Sequence, residues 1–153
     1  MREQEQRRQM MNKRKCYLAG GMQKFGKDRF DESNFWRMHI QNSLAEMPVK
    51  IFNPNDYFSF KDEPPRYASQ REVMDFDHNL VRNSDFIVVN FNDPDSKGTM
   101  SEITIANEHR IPVIGLVSKE NEPLLHPWEV EMTSRFFYDI DELIQYVIDY
   151  YIY

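Results

Sequence analysis

The sequence predicts an α/β protein: a five-stranded parallel sheet between two layers of helices, a three-layer sandwich. Three observations carry that prediction. Short apolar runs without alternation recur along the chain, as strands covered on both faces require. Stretches of helical length with an apolar side stand between them, so strands and helices alternate. At the centre, Asn83 to His109 (NSDFIVVNFNDPDSKGTMSEITIANEH) reads as buried strand, acidic loop, glycine turn and helix.

A chain of 153 residues is long enough for one domain with a real core. Hydrophobic residues make up 41% and charged residues 29%, a globular balance. The net charge of -6 argues against a nucleic acid polymer as partner, though not against a nucleotide ligand. The single cysteine, Cys16, excludes an internal disulfide framework and a cysteine zinc cluster, and suits a cytoplasmic protein. In its apolar strand it reads as a small buried hydrophobe. No apolar run is long enough to span a membrane, so no membrane partner is expected.

Residues 1–14 form a basic, polar tail, and residues 15–153 form the single domain. No apolar stretch follows the tail as a secretory signal requires, and Glu3 and Glu5 argue against a transit peptide. The tail is expected to be frayed or helical, with a contact arm for a neighbouring subunit as the alternative. Cys16 to Ala19 is the first strand and ends at Gly20-Gly21-Met22. Glycines there permit close approach of a ligand to backbone. Neither a dinucleotide fingerprint nor a Walker lysine is present. After a polar loop, Ser33 is expected to cap a helix carrying Phe35, Trp36, Met38, Ile40 and Leu44.

Val49 to Phe52 is the second strand, broken by Asn53-Pro54-Asn55-Asp56. The loop from Tyr57 to Ser69 is rich in aromatics and proline, suiting either a pocket wall that stacks on a flat base or a satellite core. Arg71 to Asn83 is a helix with Asp77 near its middle, and Asp85 to Asn90 is the central strand. The loop Phe91 to Lys97 carries Asp93 and Asp95. Gly98 is expected to turn the chain with positive φ, and Thr99 or Ser101 to cap the next helix, leaving Glu102 in its first turn. Ile111 to Leu116 is the fourth strand, with Pro112 early in it. Glu120 to Glu131 is irregular. Arg135 to Tyr138 is the fifth strand, and Ile140 to Tyr150 is the last helix, with Leu143, Ile144, Val147, Ile148 and Tyr151 on its apolar face.

Right-handed crossovers and short connections give the flavodoxin-like order 2-1-3-4-5. The first and third strands then lie side by side. Their carboxyl ends bring Gly20-Gly21-Met22 and the loop from Asn90 to Gly98 over one crevice, where ligands of open α/β sheets bind. Glu102 stands there with Asp77, Asp93 and Asp95. An acid at a helix start often only complements the dipole, but this company makes it a candidate catalytic group. The four histidines show no metal-ligand spacing, no serine nucleophile elbow occurs, and no metal or cofactor is expected.

The chain resembles the nucleoside 2-deoxyribosyltransferase family. The resemblance rests on Tyr17-Leu18-Ala19-Gly20-Gly21-Met22, Asn53-Pro54, Asp77 to Asp85 (DHNLVRNSD), and Gly98-Thr99-Met100-Ser101-Glu102-Ile103 with Ala106, in family order. It implies that Glu102 is the nucleophile, that Asp77 contacts and helps protonate the base, and that Tyr17 orients Glu102. It implies substrate binding at Gly20, Gly21, Met22, Asn53, Asp93, Asp95, Ser96, Gly98 and Thr99. The substrate implied is a small-molecule nucleoside or nucleoside monophosphate, and the assembly implied is a homo-oligomer. Aromatic stretches around Trp128 and Tyr150 to Tyr153 suit such an interface, and some family members bring a C-terminal tyrosine to the site.

The chain departs from the transferases at Ser96, where they place an aspartate two residues before the glycine. Members that hydrolyse deoxynucleoside 5′-monophosphates have a serine there, able to donate to phosphate, while Asp93 and Asp95 oppose a phosphate. The tryptophan-containing loop is followed by Thr133 and Ser134, not by the asparagine that some transferases lend to a neighbour. The chemistry needs one carboxylate to attack C1′ and a second acid with a raised pKa to protonate the leaving base. A non-catalytic nucleotide-binding module is the alternative of another class, disfavoured because a binder needs no nucleophile.

Overall fold

A computed structural model describes residues 1–11, 13–22, 30–58, 64 and 66–152. The strands are β1 (Arg14–Gly20), β2 (Val49–Phe52), β3 (Phe86–Asn90), β4 (Val113–Leu116) and β5 (Arg135–Phe137). The helices are α1 (Arg2–Met11), α2 (Phe30–Ser43), α3 (Gln70–Arg82), α4 (Lys97–Glu108), α5 (Pro127–Glu131) and α6 (Ile140–Val147). All pairings are parallel, in the order β2-β1-β3-β4-β5. This is the flavodoxin-like order read from the sequence.

The central strands have no polar side because both faces are covered. Cys16, Leu18, Phe86, Val88 and Ile114 face Ile40 of α2, Leu44 just beyond its end, and Leu143, Ile144 and Val147 of α6. Tyr17, Ala19, Ile87, Val89 and Val113 face Val81 of α3 and Ile103 and Ala106 of α4. Burying such side chains is worth roughly 1.5–3 kcal/mol each against exposure, which makes these strands the rigid floor under the site. Tyr151 stacks on Phe86 and Ile152 joins the α2/α6 face, so these two C-terminal residues pack away from α3 and α4. Tyr153 lies outside the described residues. Trp128 and Tyr150 are 69% and 70% exposed.

The N-terminal tail is helical over α1, one of its two expected states, and its described side chains are exposed. Several other elements depart from expectation. Helix α2 starts at Phe30, so Ser33 is a buried interior residue and not a cap. Its core stripe is Ser33, Arg37, Ile40 and Leu44, while Phe35 and Met38 are 62% and 46% exposed. Helix α4 starts at Lys97 and is capped by Ser96, whose Oγ accepts from the Thr99 N–H at 3.3 Å. Gly98 is therefore helical, without positive φ, and neither Thr99 nor Ser101 is the cap. Within Glu120 to Glu131, Pro127 opens α5, whose amino end is capped by a capping box between His126 and Glu129. Among the described residues, no helix is long and apolar enough to cross a membrane.

Candidate active site

Gly20 of β1 lies in register with Asn90 of β3, so the two following loops leave the sheet side by side. A cleft of about 880 Å³ opens at this switch point, between α3 on one side and the β3–α4 loop with the first turns of α4 on the other.

Helix α4 buries Thr99, Glu102, Ile103 and Ala106, positions spaced along one helical stripe. Glu102 thus occupies a core position, in the second turn and not the first, which removes it from the dipole role. It is 8% exposed, lines the cleft, and keeps Oε2 buried with no hydrogen-bond partner. Burial pushes its pKa up to about 8. A hydrogen bond from Tyr17 opposes that rise, the Asp77 charge adds to it, and Arg37 opposes it.

Asp77 arises in the same way on α3, where it and Val81 form the buried stripe. Its Oδ1 is buried and unpartnered, and burial raises its pKa to about 7 against the pull of Arg37. Tyr17, in β1, is 1% exposed, and burial, Glu102 and Asp77 hold its phenol well above its ordinary pKa. It is therefore a donor at any physiological pH.

Sequence reasoning missed the fourth member, Arg37. It is fully buried and crosses from α2 to the carboxyl end of β1, where Nη2 donates to Gly20 O at 3.0 Å and Nε to Leu18 O at 3.4 Å. Nη1 donates to Ser33 O, and the guanidinium lies 4.6 Å from the Trp36 ring centre. Burial lowers its pKa to about 10, so it stays charged near neutrality. The available signal was its place on the stripe Ser33-Arg37-Ile40-Leu44.

Of the binding positions read from sequence, Gly20, Met22, Asp93, Asp95, Ser96, Gly98 and Thr99 line the same cleft. The oxygens of Ser96 and Thr99 lie 2.8 Å apart. Gly21 packs under the rim, where an added Cβ would meet Asp93 Oδ2 at 2.4 Å. Asn53 is not brought to the cleft. Its amide donates to Asn34 at 3.0 Å and Gln41 at 3.1 Å, and its Oδ1 accepts from Asn55 N at 3.0 Å, so it fixes the turn after β2. His78 was also missed: it lines the cleft and contacts Ser101 Oγ at 3.0 Å.

Of the aromatic loop, Tyr57, Phe58 and Tyr67 are among the described residues, while Phe60 and Pro65 lie outside them. Phe58 stacks edge-on with Tyr67 and Phe76, a satellite core, yet Phe58 and Tyr67 also line a small cavity with Asp77. The cleft thus joins a carboxyl with an unpartnered oxygen to an aromatic wall on one side, and a carboxyl held by a phenol on the other. It can present two buried acids to one polar substrate with a flat ring. Among the described residues, no group of three His, Cys, Asp or Glu side chains is placed to hold a metal ion.

The family described as Nucleoside 2-deoxyribosyltransferase matches over residues 16–140. Solved structures are similar in fold. A conserved protein from Enterococcus faecalis V583 superposes with a TM-score of 0.71 at 20% identity, over 90% of this chain and 98% of that one. The 2-deoxyribosyltransferase of Bacillus psychrosaccharolyticus gives 0.66 at 16% identity, over 86% and 91%. The CMP N-glycosidase BcmB of Clostridium botulinum gives 0.59 at 15% identity, over 90% and 100%. Among curated protein sequences there is no match.

Proposed function

We propose, from the premise that the chain belongs to the nucleoside 2-deoxyribosyltransferase family, that it cleaves the N-glycosidic bond of 2′-deoxyribonucleosides and transfers the deoxyribosyl group through a covalent ester on Glu102. The observation that carries this reading is the pair of buried, unpartnered carboxyl oxygens, Glu102 Oε2 and Asp77 Oδ1, beside one cleft. Unpaired buried oxygens are costly unless a ligand meets them.

In the first half-reaction a Glu102 oxygen bonds to C1′ as the bond from C1′ to the base nitrogen breaks. The bonding pair leaves on the base, which takes a proton from Asp77. Tyr17 donates to Glu102 and fixes its aim. In the second half-reaction an acceptor base attacks C1′, the ester bond breaks, and Asp77 recovers a proton from the acceptor. The aromatic wall of Phe58 and Tyr67 suits the flat base.

The second reading is hydrolysis of a deoxynucleoside 5′-monophosphate, with water as acceptor. The observation that favours it is Ser96 and Lys97 at the amino end of α4, on the cleft wall where an aspartate would repel phosphate. Asp93 and Asp95 on the same wall oppose it.

The test is chromatography of a deoxynucleoside, or its 5′-monophosphate, with the protein, with and without a second free base. A new deoxynucleoside formed from the second base is the expected result. Free base released only from the monophosphate, without exchange, moves the reading to the hydrolase. No turnover of either form overturns both and leaves a nucleotide-binding module. Self-association belongs to the same proposal, through the exposed Trp128 and Tyr150, and a fully active monomer in sedimentation would refute it.

A further inference from the structure

Arg37 has no job in the mechanism above, yet among the described residues it is the largest fully buried side chain. Taking a guanidinium out of water costs several kcal/mol unless opposite charge compensates it. Its three hydrogen bonds go to the carbonyls of Leu18, Gly20 and Ser33. Carbonyls fix the fork in space but leave its positive charge uncancelled, and among the described residues no carboxylate forms a direct ion pair with it. Gly20, whose carbonyl it grips, lines the cleft together with Asp77 of α3 and Glu102 of α4, and these two with Tyr17 of β1 are the ionisable groups whose charge acts on it. Asp93 and Asp95 stand on the cleft wall, and Asp31 and Glu32 on its own helix are exposed. Two carboxyls on the cleft wall and one fully buried, fixed cation behind it therefore lie together at the carboxyl end of β1.

We propose that Arg37 is a positioning residue that sets the charge of this cleft: anchored on backbone carbonyls, it compensates one negative charge, so that one carboxyl of the Glu102–Asp77 pair is ionised while the other keeps its proton. This is the state that a nucleophile beside a proton donor requires, and in that respect the inference rests on the function proposed above. The anchoring matters because a cation free to swing onto Glu102 would form a contact pair and blunt the nucleophile. Held on Gly20 O and Leu18 O, it acts on both carboxyls without occupying either. The burial of Asp77 and Glu102 raises both pKa values, and Arg37 is the group that opposes the rise in each.

The test is a carboxyl-carbon NMR titration of the full chain, with the two resonances assigned through Glu102→Gln and Asp77→Asn. In Arg37→Met the pair is expected to titrate at least about one pH unit higher than in the wild type, whereas Arg37→Lys, which keeps the charge, stays near the wild type. Unchanged midpoints in Arg37→Met overturn the proposal. Where Arg37→Met folds too weakly to titrate, the double variant Arg37→Met/Glu102→Gln carries the test. At pH 8 the gain in melting temperature from Glu102→Gln is expected to be larger in the Arg37→Met background than in the wild type, and a gain no larger there overturns the proposal. Neither readout needs substrate. A shifted titration in a protein that turns over no nucleoside sinks the proposed function alone, and an active enzyme with unmoved midpoints sinks this inference alone.

Discussion

The buried Tyr17 phenol of β1 stands beside the Glu102 carboxyl of α4, and the pairing holds the proton on the phenol while drawing the carboxyl's pKa down. It couples the floor of the cleft to its wall, while the carboxyl oxygen Oε2 is buried with no hydrogen-bond partner. A buried carboxyl with an unpartnered oxygen on a cleft wall is costly to a fold unless a ligand meets it.

Replacing Glu102 separates chemistry from stability. Glu102→Gln is expected to lose turnover by about a thousandfold or more, because a covalent nucleophile is gone. The fold should gain. Folded Glu102 holds its proton up to about 8 against an ordinary 4.5, so the fold binds the extra proton below that range and loses stability as pH rises through it. Glutamine has no such proton. The variant is therefore expected to melt above the wild type at pH 8 and to lose that advantage by pH 5, with roughly 2–4 °C for each kcal/mol in a chain of this size. Near-normal activity in a folded Glu102→Ala protein would falsify the catalytic role.

The pH dependence of the rate follows from the pair. Asp77 is raised to about 7 and Glu102 to about 8 by burial, and two coupled carboxyls titrate as a unit. If one proton must remain on the pair, activity rises as the first leaves and falls as the second leaves, a narrow bell with its top between those values. Tyr17→Phe removes the donor that favours the negative charge on Glu102. It is expected to lower the bell about tenfold or more and to move it toward higher pH. A rate unaffected by pH across this range, or a Tyr17→Phe profile that overlays the wild type, counts against the dyad.

The sheet was legible because Cys16 to Ala19 and Phe86 to Val89 are apolar without alternation, which only a strand covered on both faces tolerates. Glu102 was legible through its neighbours Asp77, Asp93 and Asp95 at strand ends. The α2 face was not. Hydrophobicity favours Phe35 and Met38 inside, but the helix turns Arg37 inward because three backbone carbonyls await it, two of them at β1, and no local pattern reveals them. The start of α4 was misplaced for a related reason: Ser96, Thr99 and Ser101 are all chemically fit to cap, and only the tertiary path of the β3–α4 loop selects Ser96. Arg37, Asp77 and Glu102 share one signature, a charged residue on a helix stripe otherwise turned to the core.

Two glycines of the site should respond oppositely to alanine. At Gly21 a Cβ would lie 2.4 Å from Asp93 Oδ2 and 2.7 Å from Asp93 Cβ, so Asp93 must move. Gly21→Ala is expected to destabilise by about 1–3 kcal/mol, the usual range for forced overpacking. Gly98 lies in the first turn of α4 with nothing within 4 Å of such a Cβ. Gly98→Ala should stabilise by about 0.5–1 kcal/mol through helix propensity alone. Denaturant melts of the two variants check the signs, and a shift in the same direction for both would contradict the geometry of the loop.

The last prediction concerns the sugar: 2′-deoxyribosides react and ribosides react poorly. Glu102 must reach C1′ from the face opposite the base, on a path that runs beside C2′. A ribose hydroxyl there crowds the carboxylate and withdraws electrons from the cation forming at C1′. Glu102 has little freedom to move aside, because it is 8% exposed, sits on the core stripe of α4 and is held by Tyr17 from β1. Pocket shape alone gives only modest rejection of an added hydroxyl, about a hundredfold at best in a hydrophobic site. Destabilisation of the cation must supply the rest, so the discrimination should appear in kcat more than in KM. The measurement is kcat and KM for a deoxynucleoside and its matching ribonucleoside under identical conditions, repeated with both 5′-monophosphates. Equal or faster turnover of the ribo forms removes the prediction and points to a ribonucleotide hydrolase. Turnover confined to the monophosphates favours phosphate recognition at Ser96 over the free nucleoside. A preference lying wholly in KM would mean that the hydroxyl is excluded by the cleft wall before Glu102 attacks, and that the carboxylate is not close to C2′ in the transition state.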